Sequence, residues 1–177
     1  TERANMSDLA QLTPADIRQA RSDNANLRDR DFADKLNICE GQLVAAHVGY
    51  DVTCIAASPD DIMPRLKDLG EVMALTRNRS CVIEKVGVYD NFHSGPHASM
   101  ILNDEIDLRL FGRHFVSAFA VERQTESGVK RSIQIFDAAG DAVHKIHLRL
   151  ESDLAAWSRL VADLTLADQD QVLRVSP

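Results

Sequence analysis

The 177 residues suffice for one domain with a substantial core, and hydrophobic and charged fractions of 45% and 27% are those of an ordinary globular chain, not a disordered one. A net charge of −7 argues against a general nucleic-acid or anionic-membrane surface, because such partners select basic patches; an anionic ligand would need a local positive pocket. No apolar run is long enough to span a bilayer and the first residues carry charge instead of a signal-peptide core, so the cytoplasm is the expected compartment, without stable membrane insertion.

Residues 1–12 are polar and uncapped and are expected to form a disordered tail; the folded domain is expected over residues 13–166, with 167–177 as a C-terminal tail or linker. Thr13-Pro14-Ala15-Asp16 joins an N-cap threonine to a first-turn proline and an acid, which starts a short helix through Ile17 and Ala20. Helical spacing recurs in Phe32, Ala33 and Leu36, and again in Leu43, Val44 and His47, with a break at residues 37–40. A helix pair of this kind raises a helix-turn-helix regulatory or DNA-binding module as an alternative. Its second helix, "EGQLVAAHVG", starts with an acid, offers only Gln42 and His47 as donors, and has no Lys or Arg. A helical hairpin packed on the rest of the domain is the preferred reading.

A strand is expected over residues 51–57, followed by a helix that Ser58 caps, Pro59, Asp60 and Asp61 begin, Pro64 bends and Gly70 closes. From Glu71 the period changes to 2. Seven segments, "EVMALTRN", "SCVIEKVGVY", "HASMIL", "IDLRLF", "FVSAFAVER", "KRSIQIFD" and "DAVHKIHL", are separated by turn residues, and Glu126-Ser127-Gly128 and Ala138-Ala139-Gly140 suit hairpins. The pattern predicts one antiparallel meander of seven or more strands between Glu71 and Leu148. A final helix, capped by Ser152 with Asp153 in its first turn, carries an apolar stripe of Leu154, Trp157, Leu160, Val161 and Leu164. The fold class is therefore α+β: a large antiparallel sheet with an N-terminal helical segment and a C-terminal helix packed beside it.

Cys39, Cys54 and Cys81 are odd in number and far apart, without metal-ligand spacing, and read as reduced, mostly buried thiols. There is no P-loop, G-x-G-x-x-G, H-E-x-x-H or Ser/His/Asp order. His47 is expected to cap or cover a helix. His144 and His147 lie three apart in one strand, hence on opposite faces, which rules out a shared metal site there. In "DLRLF" the alternation puts Arg109 on one surface with Asp107 and Phe111, so Arg109 faces either solvent with Asp107 as its partner, or an anionic ligand.

"EVMALTRN", "YDNFHSGPHASMILNDEIDLRLF", "SIQIFDAAGDAVHKI" and "DLAAWSRLVADL" together resemble, in order along the chain, the amino-terminal half of the bacterial haemin-degrading and haem-transport proteins of the HemS, ChuS and HmuS type. That family is built from two tandem copies of one domain, each with helices beside a large antiparallel sheet, and it handles haem in the cytoplasm; this sequence matches one copy. The resemblance implies that Arg109 is the arginine that approaches the haem, where a planar guanidinium fork suits a propionate carboxylate. It also makes His93 and His97, in "NFHSGPHAS", candidates for contact with haem, together with His114 next to Arg113.

Two departures matter. The family's principal axial histidine belongs to the carboxy-terminal copy, and the matching segment here, "DNANLRDRDF", has no histidine. Some members carry another in a segment like "TRNxxxVHE", where this chain reads "TRNRSCVIE" with Ile83. The expectation is a cytoplasmic haem-binding domain serving haem uptake, trafficking or degradation for iron acquisition, with haem-degrading activity in the two-repeat protein as the enzymatic alternative. Expected partners are haem, a second repeat or a homodimer, and a haem oxygenase or importer.

Overall fold

The computed structural model describes residues 12–176, so the tail expected at residues 1–12 lies outside the described residues apart from Leu12. The order is α1 (Pro14–Asp23), α2 (Asp29–Leu36), α3 (Glu40–Ala45), β1 (Val52–Ile55), α4 (Pro59–Leu66), β2 (Val72–Arg77), β3 (Val82–Gly87), β4 (Phe92–His93), β5 (Ser99–Leu102), β6 (Asp107–Leu110), β7 (Ser117–Thr125), β8 (Gly128–Phe136), β9 (Ala142–Leu148) and α5 (Leu154–Leu164).

Local signals set the helix ends. Thr13 and Asp16 form a reciprocal capping box, with Thr13 Oγ1 accepting from Asp16 N at 3.2 Å and Asp16 accepting from Thr13 N at 2.9 Å. Asn37, at φ 53°, ends α2 in the left-handed region that asparagine tolerates. Cys39 Sγ caps α3, and Gly140, at φ 80°, approaches it so closely that a Cβ there would sit 2.2 Å from the sulfur. At α5 the expected cap is displaced by one residue. The Asp153 carboxylate accepts from Ala156 N at 2.9 Å, while the Ser152 hydroxyl donates to Glu71 O at 2.8 Å and accepts from Arg149 N at 2.9 Å. Ser152 thus ties the loop to the start of β2 and leaves the helix end to Asp153.

Six strands form one antiparallel sheet in the order β1-β7-β8-β9-β2-β3, and β4-β5-β6 form a second, three-stranded sheet. The expected strands between Glu71 and Leu148 are present, with the short β4 added, but they divide between two sheets; β1, from outside that range, joins the larger one. Two of the pairings are non-local, β1 with β7 and β2 with β9. β2 binds β9 through Val72↔Leu148 to Leu75↔Lys145, and this leaves β4–β6 to lie over a face of the large sheet.

The large sheet is covered on both sides. One core joins Ala118, Ala120, Ile133, Ile135 and Ile146 to Ile62, Met63 and Leu66 of α4, Ile101 of the small sheet and Trp157 and Leu160 of α5. On the other face Phe119, Val121 and Phe136 pack with Val44 and Ala45 of α3, and α1 and α2 cover α3. Five of the six α3 residues are buried, so this helix has no face to offer a DNA groove, and the helix-turn-helix alternative falls. In α5 the buried face is Ala156, Trp157 and Leu160, while Leu154 at its start is exposed.

Residues 167–176 run back over the domain. Gln169 pairs its side-chain amide with both Cys54 N and Cys54 O at 2.9 Å, and Leu166 N donates to Cys54 O, so this segment covers the free edge of β1. The opposite edge, β3, is open, with Val82 and Ile83 exposed. The three cysteines are unpaired; Cys39 and Cys54 are half-buried, whereas Cys81, expected among buried thiols, sits exposed in the β2–β3 turn.

Polar groups tie the helical layer to the sheet. Asp29 accepts from Arg21 at 3.0 Å and Arg123 at 2.9 Å; burial would raise its carboxyl, but Arg123 and then Arg21 outweigh that and hold it below the usual carboxylate range. Lys145 of β9 forms a buried ion pair with Glu40 of α3. Removing either partner strands a buried charge, so Lys145→Ala or Glu40→Ala is expected to cost about 3 to 5 kcal/mol in urea denaturation, and the joint apolar replacement Glu40→Leu with Lys145→Met markedly less. A single variant within about 1 kcal/mol of the parent would show the pair to be solvated.

Candidate functional site

The alternation in β6 sends Leu108 and Leu110 toward the core and Asp107 and Arg109 outward. Arg109 Nη1 donates to Asp107 Oδ1 at 2.6 Å, and the two side chains are 49% and 69% exposed. A pair that open to water is worth at most about 1 kcal/mol, so Arg109 is held in place yet released at little cost to a stronger anion.

Two clefts of about 300 Å³ each flank Leu108 where β6 crosses the large sheet. Both are bounded by Thr76, Leu108 and His144. Arg109 and His114 line the first, with Phe111 and Phe115; Ile83 and Lys85 line the second. Phe111 is exposed at the first cleft, giving it an apolar wall beside Arg109, and Arg113 lies over the Phe111 ring, 6.0 Å from its centroid.

The four expected contact residues are dispersed unequally. Arg109 and His114 share a cleft. Arg113 Nε donates to His114 Nε2 at 3.0 Å, so the lone pair of that ring nitrogen is already taken. His93 stands opposite Met100, which stands opposite Arg109, so the three form one outward row, His93 and Arg109 being two strand spacings, about 10 Å, apart. Asn91 Nδ2 donates to Leu102 O at 2.6 Å, which turns Asn91 Oδ1 toward His93 Nε2, 2.9 Å away; Nε2 therefore carries the proton and Nδ1 keeps a free lone pair. His97 is exposed in the turn between β4 and β5 and lines neither cleft.

His144, one of the three residues common to both clefts, reads from the sequence only as a strand histidine facing away from His147, not as a site residue. Its Nε2 lies 2.6 Å from the Tyr89 hydroxyl and its Nδ1 2.8 Å from Thr76 Oγ1, so both ring nitrogens are engaged. Burial, with a further push from His147, lowers its pKa to about 4, and burial raises the Tyr89 phenol. Both rings stay neutral near pH 7, and His144, held from behind by Tyr89, is a fixed floor for the clefts. The available signal was period 2, which places His144 with Ile146 on the inner face; the Tyr89 partner, 55 residues away, is invisible to it.

Comparison with known proteins agrees with this architecture. A model of the haemin-degrading HemS.ChuX domain matches residues 37–164. The hemin transport protein HmuS of Yersinia pestis is 37% identical over 160 residues, which are 90% of this chain and 46% of that protein. The crystal structure of holo-PhuS, a heme-binding protein from Pseudomonas aeruginosa, superposes with a TM-score of 0.89 at 38% identity, covering 94% of this chain and 50% of that one. That of ChuS, an E. coli heme oxygenase, gives a TM-score of 0.77 at 36% identity, covering 84% of this chain and 45% of that one. The chain thus spans about half the length of the relatives it matches.

The buried histidines set a pH dependence. His147 is also lowered to about 4, by burial and then by Lys145 and Lys130. Above pH 6.5 both imidazoles are neutral whether folded or unfolded and add no slope. Between pH 6.5 and about 4 only the unfolded chain takes up the protons, so stability falls with pH, by roughly 3 kcal/mol for His144 over the whole window. Denaturation midpoints measured from pH 7.5 to 5 are expected to drop, and His144→Gln to cut the slope by about half. A parent protein with no slope would show that the imidazoles protonate in place.

Proposed function

The chain belongs to the haemin-degrading HemS/ChuX domain family, and from that premise we propose that it is a cytoplasmic haem-binding domain serving haem uptake, trafficking or degradation. The observation that carries this reading is the cleft beside β6, where the rings of Phe111 and Phe115, the Arg109 guanidinium and the His114 imidazole converge, with Arg113 over the Phe111 ring, in a chain 38% identical to a heme-binding protein along nearly its whole length. These residues fit haem, whose ring faces are apolar and whose edge carries two carboxylates. Arg109, released from Asp107, offers a propionate two parallel N–H donors, and the exposed aromatic edge excludes water from the ring face.

Iron ligation falls to an imidazole with a free lone pair. His93 Nδ1 has one but, like His97, His93 lines neither cleft; His114 lines the first cleft and must first give up its bond from Arg113. His144 is excluded by its two partners. Ile83, at the position where the resemblance allows a histidine, lines the second cleft without offering a donor.

A degradative reading is favoured by the 36% identity with a protein described as a heme oxygenase. There haem is the substrate, oxygen and an external electron donor supply the redox chemistry, and this chain's residues bind and orient the ring. Delivery from a haem importer, or transfer to a separate oxygenase, suits the carrier reading equally.

Haemin titration is expected to give a saturable Soret shift. Arg109→Ala is expected to weaken binding about ten- to a hundredfold without unfolding the domain, and Arg109→Lys to recover only part. Substitution of His93, His97 or His114 moves the Soret band if that residue ligates iron. Bleaching on addition of reductant favours degradation over carriage. Arg109→Ala with parental affinity and histidine variants with unchanged spectra would return Arg109 to a surface partner of Asp107.

The half-length match and the open β3 edge also point to a partner copy, either a second repeat or a homodimer. Sedimentation at high protein concentration is expected to show a dimer, and Ile83→Lys to shift it to monomer. A parent that stays monomeric would refute self-association.

A further inference from the structure

On the face of the large sheet opposite Arg109 lies a larger, polar cleft of about 510 Å³. Thr76 bonds His144 on one face, so Arg77, the next residue in β2, is directed to the other, under the helical layer. The cleft is walled by Arg77 at the end of β2, Arg79 from the β2–β3 turn, Arg30 and Asp34 from α2, and Asp141 just before β9. Asn78 Oδ1 accepts from Ser80 N and Cys81 N, both at 2.8 Å, which fixes the turn bearing the two arginines.

The charges in this cleft are unspent. Among the described residues, no carboxylate lies within ion-pair distance of Arg30, Arg77 or Arg79, and no cation within that distance of Asp34 or Asp141; Glu40, which also lines the cleft, is taken by Lys145. Arg77 Nε is shut off from solvent without a hydrogen-bond partner. Buried donors are normally satisfied, so the orphan shows that the Arg77 guanidinium is not neutralised within the domain, and its charge is available to an acceptor in the cleft that Arg77 lines. The volume lies in the range of small-molecule sites.

We propose that this cleft binds a small molecule carrying an oxyanion, phosphate or carboxylate, which the Arg77 and Arg79 guanidiniums grip, and O–H or N–H donors, which meet Asp34 and Asp141. Phosphate and carboxylate present the same planar pairs of oxygens to a guanidinium fork, so the arginines recognise either. This cleft and the β6 cleft share only Ala142 of their linings, so this site is expected to act independently of haem.

Calorimetric titration at low salt with ribose 5-phosphate and, separately, citrate distinguishes the two sources. One of them is expected to bind saturably at one per chain. Arg77→Gln and Arg79→Gln each weaken it about tenfold or more, while Arg65→Gln, on α4 and paired with Asp163, leaves it unchanged. Arg79→Gln, at an exposed turn position, serves if Arg77→Gln fails to fold. Haemin affinity is expected to be the same in all variants, so loss of anion binding and loss of haem binding are read separately. Absence of saturable binding by either compound up to about 10 mM, equal weakening in Arg65→Gln, or displacement of haemin by the anion would overturn the site.

Discussion

The burial of β8 and β9 on both faces governs the rest of the structure. In an antiparallel sheet open on one side, alternate residues would face water and polar side chains there would need no partner. Here Ile133, Ile135 and Ile146 fill one core, while Ser132, Gln134 and Lys145 point into the opposite layer and are buried as well. Gln134 bonds Ser132 at 3.1 Å, and Lys145 takes Glu40 from α3. The helical hairpin is therefore anchored by a charge the sheet has no other means of satisfying, and Asp29, between Arg21 and Arg123, anchors it a second time.

The same double coverage creates the clefts. A three-stranded sheet laid across a six-stranded one does not mesh along its whole length, and Leu108 fills the crossing while space remains on either side. His144 and Thr76 close the floor, with Tyr89 behind His144, in a hydrogen-bonded chain whose members stay neutral, so polar groups reach the bottom of the clefts without bringing charge there. Charge is left to the rim, where Arg109, Arg113 and Lys85 stand among Asp107, Asp137, Glu84 and Glu105. That division, a neutral floor and a rim of both charges, suits a ligand with an apolar body whose anionic substituents meet the rim cations.

What could be read in the residues was whatever depends on near neighbours. The Thr13–Asp16 box, the Ser58-Pro59 start of α4, the turns at Gly128 and Gly140 and the alternation of Asp107 to Leu110 are local, set by steric limits and hydrogen bonds within a few residues, and each appears where the pattern placed it. Ser152 shows the limit. Its hydroxyl could have capped α5, but Glu71 O, 81 residues back, offered an acceptor, and Asp153 took the cap.

By itself the sequence determined the α+β class, nearly every element, the outward direction of Arg109 and, through the "DLRLF" and "FDAAGDAVHK" segments, the family. Only the tertiary structure decided that the strands divide into two sheets, that Arg109 and His114 share a cleft which His97 does not line, and that His144 lies beneath it with both nitrogens occupied. Alternation tells which side of a strand a residue faces, because that follows from the geometry of two successive peptides. What waits on that side comes from strands and helices tens of residues away, and their approach is fixed by burying the sheet on both faces, a condition met by the whole chain at once.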